Sequence, residues 1–182
     1  MENLEKRIQS LLAEKNRVLI SIEGGAAAGK TTLSAHLSER LGANVYHMDD
    51  FFLPPFLRTA KRLSASGGNV HYERFYEEVV CPVLKGEAFT YGVFDCRTNS
   101  ICSQKHAPQN RLHIMEGVYS AHPYFGDIYD LRIFLEIDAA VQRERIFARN
   151  PENAEAFFSR WIPMENQYFA AFSVKENSDI VL

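Results

Sequence analysis

The run Val18-Leu19-Ile20-Ser21-Ile22-Glu23-Gly24-Gly25-Ala26-Ala27-Ala28-Gly29-Lys30-Thr31-Thr32-Leu33-Ser34-Ala35-His36-Leu37 decides the reading of this chain. A largely β-branched apolar stretch, Val18 to Ile22, leads into Gly24 to Thr31, which fits the spacing G-x-x-x-x-G-K-[ST] in full. Leu33 and Leu37 then recur at helical spacing, so the run reads as strand, loop and helix. Phosphate binding demands that order. Small residues let backbone N–H groups turn inward around phosphate oxygens, the lysine ammonium reaches the terminal phosphates, and the threonine hydroxyl ligates Mg²⁺. The N-terminus of the following helix adds its positive dipole end. The candidate nucleotide-binding residues are Gly24, Gly25, Ala26, Ala27, Ala28, Gly29, Lys30, Thr31 and Thr32, with Thr31 also a candidate metal ligand.

Outward from this run, strands are expected at 44–48, 112–115, 131–137 and 179–182, and helices at 3–15, 30–41, 72–84, 139–149 and 153–172. Such alternation puts parallel strands in one sheet with helices on both faces, so the expected class is α/β, a three-layer α/β/α sandwich. A chain of 182 residues suits a single domain over 1–182. Leu4, Ile8, Leu11 and Leu12 make the first helix amphipathic, a face that packs on the core or covers a partner, so a homo-oligomer is permitted. Two stretches depart from the pattern. Residues 53–70, with Pro54-Pro55, Arg58, Lys61, Arg62 and Ser64 to Gly68, read as a mobile surface loop with local positive charge. Residues 86–110 read as two short strands forming a flap on the acceptor side.

Composition narrows the function classes. Twenty basic against 23 acidic residues, a net charge of −3, give no general attraction to a nucleic acid polymer or an anionic membrane. Cys81, Cys96 and Cys102 form no metal-ligand cluster, and their odd number argues against a disulfide framework, which points to a cytoplasmic setting. The acidic start Met1-Glu2-Asn3-Leu4-Glu5 does not read as a signal peptide, and no apolar run approaches the ~20 residues of a membrane span.

Ligands of parallel α/β sheets gather at the carboxyl ends of the strands, which singles out Asp49-Asp50 and Glu116-Gly117 beside the loop. One carboxylate near a terminal phosphate can orient an attacking hydroxyl and take its proton; another can hold Mg²⁺. Asp49 is assigned the first role and Glu116 the second. A helix cap or turn at Asp49-Asp50 and a plain strand-end acid at Glu116 are the alternatives. Arg145 and Arg149, four apart, share a helix face ahead of Pro151, and their guanidiniums suit a lid over a phosphoryl group around 143–160, with Arg160 a further candidate. A solvated charged helix is the alternative there. The aromatic stretch Trp161 to Phe172 reads as core packing.

In sequence order, the loop at 24–32, Asp49-Asp50-Phe51-Phe52, Asn69-Val70-His71-Tyr72-Glu73-Arg74-Phe75, Phe94-Asp95, Ile114-Met115-Glu116-Gly117-Val118, Leu131 to Leu135 and Arg145-x-x-x-Arg149 resemble the uridine kinase and phosphoribulokinase group of P-loop kinases. The resemblance covers nearly the whole chain. It implies the P-loop containing nucleoside triphosphate hydrolase fold, ATP and Mg²⁺ as cofactors, and γ-phosphate transfer to a hydroxyl of a small-molecule acceptor, in the first place a nucleoside 5′-hydroxyl. It also implies catalytic roles for Asp49, Lys30, Arg145 and Arg149, with Asp50 at a variable position, and a magnesium-associated role for Glu116. The acceptor side departs from the family. Its N-F-D-H-P-D-A-F motif is shorter here, with His71 near the ribose-binding aspartate, and its Y-D-F-x-x-H segment is Phe94-Asp95-Cys96-Arg97-Thr98-Asn99. The acceptor contacts expected are Asp49, His71, Phe94, Arg97 and Asn99, of which Asn99 can hydrogen-bond a base edge and Arg97 favours an acidic acceptor. A sugar, vitamin precursor or hydroxy acid is the alternative acceptor. A nucleotide-binding regulatory module without transfer is the alternative class, and Asp49 and the flap speak against it.

Overall fold

The computed structural model describes residues 1–182. In chain order it comprises α1 (Glu2–Glu14), β1 (Val18–Gly24), α2 (Lys30–Leu41), β2 (Asn44–His47), α3 (Ala60–Ser64), α4 (Tyr72–Phe75), α5 (Cys81–Lys85), β3 (Phe89–Asp95), β4 (Ser100–Ala107), β5 (Leu112–Glu116), β6 (Leu131–Leu135), α6 (Ala139–Arg149), α7 (Ala154–Ala156), α8 (Ile162–Phe172) and β7 (Ile180–Val181). A π-helical turn joins α4 to α5, and another joins α7 to α8.

Every residue of β1 is buried, which the apolar run requires, since side chains alternate between two faces that both need cover. Parallel neighbours satisfy its backbone on both edges, in the strand order β2-β5-β1-β6-β7 with Ile20 level with Ile114 on one side and Leu131 on the other, and packed elements cover its faces. Val18, Ile20 and Ile22 join Leu33 and Leu37 of α2 and Leu4 and Ile8 of α1 in one core. Leu19 joins Met115, Phe134, Phe75, Val79 and Tyr168 in the other. The result is the three-layer α/β/α sandwich of the P-loop fold. Truncating one of these core side chains to alanine costs about 2–5 kcal/mol. No helix is long and apolar enough to cross a membrane.

The expected strands and helices all appear, and 86–110 forms the expected flap, an antiparallel β3–β4 hairpin outside the main sheet. Segment 53–70 differs from expectation. It contains α3 and a 3₁₀ turn at Pro55–Leu57, and a bridge between Phe52 and Val70 closes it. Arg62, read from sequence as part of an exposed positive charge, is turned inward. Its guanidinium donates to the carbonyls of Gly68 and Val70, to the Tyr72 hydroxyl and to both carboxylate oxygens of Glu73, and lies 3.9 Å over the Tyr72 ring. One side chain thereby organises the segment.

Candidate active site

The loop between β1 and α2 takes its shape from its glycines. Gly24 has φ 138°, and a Cβ there would stand 2.4 Å from the Leu135 carbonyl oxygen of the neighbouring strand. Gly29, with φ 104°, turns the chain into α2 in the left-handed region that side chains disfavour. The Lys30 ammonium folds back over the loop and donates to the carbonyls of Gly24 (2.8 Å) and Gly25 (2.9 Å). The backbone N–H groups of Ala27, Gly29, Lys30, Thr31 and Thr32 have no acceptor within the protein. Five donors at a helix head, beside an ammonium, form a cradle whose chemistry fits the phosphates of a nucleotide.

Opposite the loop, β2 runs into a 3₁₀ turn, Met48–Phe51, that carries both aspartates. Asp50 is buried, and its carboxylate accepts from Lys105 of the flap at 2.8 Å. Arg74, also buried, donates to the Asp50 carbonyl (2.6 Å), the Gly92 carbonyl (2.8 Å) and the Glu78 carboxylate (3.1 Å), while stacking 4.1 Å over the Phe51 ring. With the turn so fixed, Asp49 is the aspartate that lines the cavity. Its carboxylate is open to the water of the cleft yet deep among protein atoms, and that desolvation lifts its carboxyl above the usual range, with Lys30 opposing and Glu116 reinforcing the shift.

Glu116, at the end of β5, is buried, and one oxygen accepts from the Thr31 hydroxyl at 3.2 Å and from the His47 ring. That contact raises the imidazole above its ordinary value. A hydroxyl and a carboxylate side by side suit a small hard cation that keeps most of its water. No larger cluster of His, Cys, Asp and Glu forms a metal cage. Sequence reasoning did not select His47, although its place two residues before Asp49, at a strand's carboxyl end, was a usable signal.

Two further carboxylates adjoin the loop. Glu23 shares the Leu19 face of β1; one oxygen accepts from the Ala121 N–H (2.8 Å) and the Tyr168 hydroxyl (2.9 Å), the other is buried without a partner, and burial pushes the group up to about 7. An acid inside an apolar strand was the sequence signal for it. Glu165, on α8, accepts from the Ala26 N–H at 2.9 Å, and burial raises its carboxyl. It lies within the stretch read as core packing, and nothing in its neighbours marks it.

The phosphate loop, Asp49, Glu116 and Glu165 surround a cavity of about 1350 Å³, also lined by Arg145, Arg149 and Arg160 from the expected lid. Arg145 donates to the Ala27 carbonyl at 3.1 Å. Of the expected acceptor contacts, the structure brings Asp49 and Arg97 to the cavity wall, and not His71, Phe94 or Asn99. His71 precedes α4 and uses its backbone N–H on the Phe51 carbonyl (2.7 Å); its partly buried ring is held below its ordinary value by desolvation. A register shift between Val93 and Phe94 marks a bulge, and Phe94 is buried. Asn99 occupies the hairpin turn at φ 54° and is exposed. In their place Arg58, Asn69 and Tyr119 line the wall, Tyr119 at φ 78°, an uncommon conformation for a bulky residue.

No family model matches the chain. A Schizosaccharomyces pombe protein named "Putative uridine kinase C227.14" is 28% identical over 174 residues, spanning 82% of this chain and 73% of the relative. Among solved structures, "a Possible Uridine Kinase" from Bacillus stearothermophilus superposes with a TM-score of 0.71 at 19% identity over 100% of both chains. A "putative fructose transport system kinase" from Silicibacter sp. TM1040 gives 0.70 at 22% identity over 98% of each. With the strand-loop-helix cradle and the sheet order in hand, the chain has the fold of the P-loop kinases and is similar in sequence to a protein named as a uridine kinase.

Proposed function

We propose that the protein is an ATP- and Mg²⁺-dependent kinase that phosphorylates a hydroxyl of a small molecule, with a nucleoside 5′-hydroxyl as the leading acceptor. The observation that carries this is Asp49, a carboxylate open to the same cavity as Lys30 and the five free N–H groups of the loop. Bound ATP with its magnesium ion would supply the phosphoryl group. The loop amides and Lys30 would hold the phosphates, and Thr31 with Glu116 the ion. Asp49 orients the acceptor hydroxyl and takes its proton, a role helped by a raised carboxyl value, which makes the carboxylate a better base. Arg145 and Arg149 close the cavity from the lid side and place positive charge where phosphoryl charge develops. The name of the fission-yeast relative supports a nucleoside acceptor. The protein is further proposed to act as one cytoplasmic domain on a small molecule, without nucleic acid polymer or membrane as partner, alone or as a homo-oligomer.

A specific observation favours a second acceptor class. Arg58, Arg97 and Arg160 line the cavity, and neither Arg58 nor Arg160 has a carboxylate partner, which suits an acceptor bearing its own carboxylate or phosphate. Incubating the protein with Mg-ATP and a panel of nucleosides, sugars, sugar phosphates and hydroxy acids while following ADP release separates these readings. Uridine or cytidine is expected to raise ADP release, and Lys30→Ala to abolish it. Release unchanged by every acceptor would favour the nucleotide-binding switch and sink the kinase proposal.

A further inference from the structure

Ala26 is the one residue of the phosphate loop whose two backbone groups are both held by side chains from outside. Its N–H donates to Glu165 of α8 at 2.9 Å, and its carbonyl accepts from the Gln142 side chain of α6 at 2.9 Å. One turn further along α8, Tyr168 donates to Glu23, the residue before the loop. Helix α8 therefore grips the loop at its entry and along its first arm. A buried carboxylate is costly, and Asp49 makes this one costlier by like charge, while Lys30 eases it. Packing alone would be served as well by an apolar side chain of the same size. Nor does Glu165 plug the cradle, since the N–H groups of Ala27, Gly29, Lys30, Thr31 and Thr32 stay uncommitted.

We infer that Glu165 is a positioning residue for phosphoryl transfer, whose carboxylate fixes Ala26 so that the remaining loop amides and Lys30 face the nucleotide phosphates. The inference rests on the kinase reading and adds a residue to it. It also makes α8 and α6 the supports of the loop's first arm, through Glu165 and Gln142.

The test compares Glu165→Gln, which keeps an acceptor for the Ala26 N–H, with Glu165→Met, which keeps the volume and removes the acceptor. Mg-ATP affinity is read by calorimetric titration, and kcat and KM for ATP with whichever acceptor of the panel responds. Glu165→Gln is expected within about threefold of wild type, and Glu165→Met to bind Mg-ATP about 10- to 100-fold more weakly, the worth of one hydrogen bond to a charged group. Gln142→Met, which frees the Ala26 carbonyl, should shift affinity in the same direction by less. A purely structural role would move the Gln and Met variants alike. Wild-type affinity in Glu165→Met, or equal losses in both variants, overturns the inference. Tight Mg-ATP binding by the wild type without acceptor-stimulated ADP release would count against the kinase reading alone.

Discussion

Adjacent aspartates in one 3₁₀ turn should respond to the same substitution in opposite ways. Asp49→Asn removes the cavity-facing carboxylate while keeping its shape; Asp50→Asn removes the charge paired with Lys105 at 2.8 Å. A positioned base contributes about 10²–10⁴ in rate, or about 3–5 kcal/mol of barrier at 1.36 kcal/mol per tenfold. Asp49→Asn should lose that much kcat. It should bind Mg-ATP at least as well, because one of the like charges near the phosphate site is gone. Lys105 is half exposed, so solvent screens its pair with Asp50, and the pair contributes roughly 1 kcal/mol or less. For a chain of this length that is a fall in Tm of about 2–4 °C, with kcat within a few-fold of wild type. Thermal unfolding, calorimetric Mg-ATP titration and acceptor-dependent ADP release measure the three quantities. Near-normal kcat in Asp49→Asn would refute the base assignment, and equal losses of kcat in both variants would refute the division of labour.

Arg74→Met strips one buried guanidinium from the carbonyls of Asp50 and Gly92 and from Glu78. Removing one partner of such a buried set costs about 3–5 kcal/mol, a fall in Tm of about 6–20 °C by thermal unfolding; a fall under about 2 °C would show the network to be dispensable. Glu23 has its folded value raised from 4.5 to about 7, so its contribution to stability is fully present below pH 4.5 and is lost as pH rises through 7. Denaturant unfolding across pH 4–8 should show wild type weakening by an order of 3 kcal/mol over that window relative to Glu23→Gln. Parallel profiles for the two proteins would show that Glu23 does not titrate in that window.

The donor half of the site was legible because its determinants are local. Val18 to Leu37 carries the strand, the glycine positions and the helix within one run, and contact among them needs only short-range geometry. Asp49 and Glu116 were legible through topology, since parallel strands bring their carboxyl ends together. What escaped depends on partners far away in sequence. Glu165 acquires its role from Ala26, 139 residues earlier, and Arg62 from carbonyls that only the folded segment presents. On the acceptor side, Phe94, buried beside a hairpin bulge, and Asn99, exposed in a left-handed turn, do not line the cavity; one-dimensional spacing encodes neither a register shift nor a backbone sign change. His71 also lies off the cavity wall, its backbone N–H bonded to the Phe51 carbonyl.

The β3–β4 hairpin shares no strand pairing with the five-stranded sheet, yet its turn delivers Cys96 and Arg97 to the cavity. The hairpin is tied to the main sheet through side chains instead, Lys105 to Asp50 and Arg74 to the carbonyls of Gly92 and Asp50. Residues in the turn from Asp95 to Ser100 can be exchanged, lengthened or shortened without shifting the register of any strand that aims the phosphate loop. On the proposed kinase reading, changes in that turn should alter acceptor preference while leaving Mg-ATP affinity within a few-fold of wild type, which a turn-exchange variant and calorimetric titration would check.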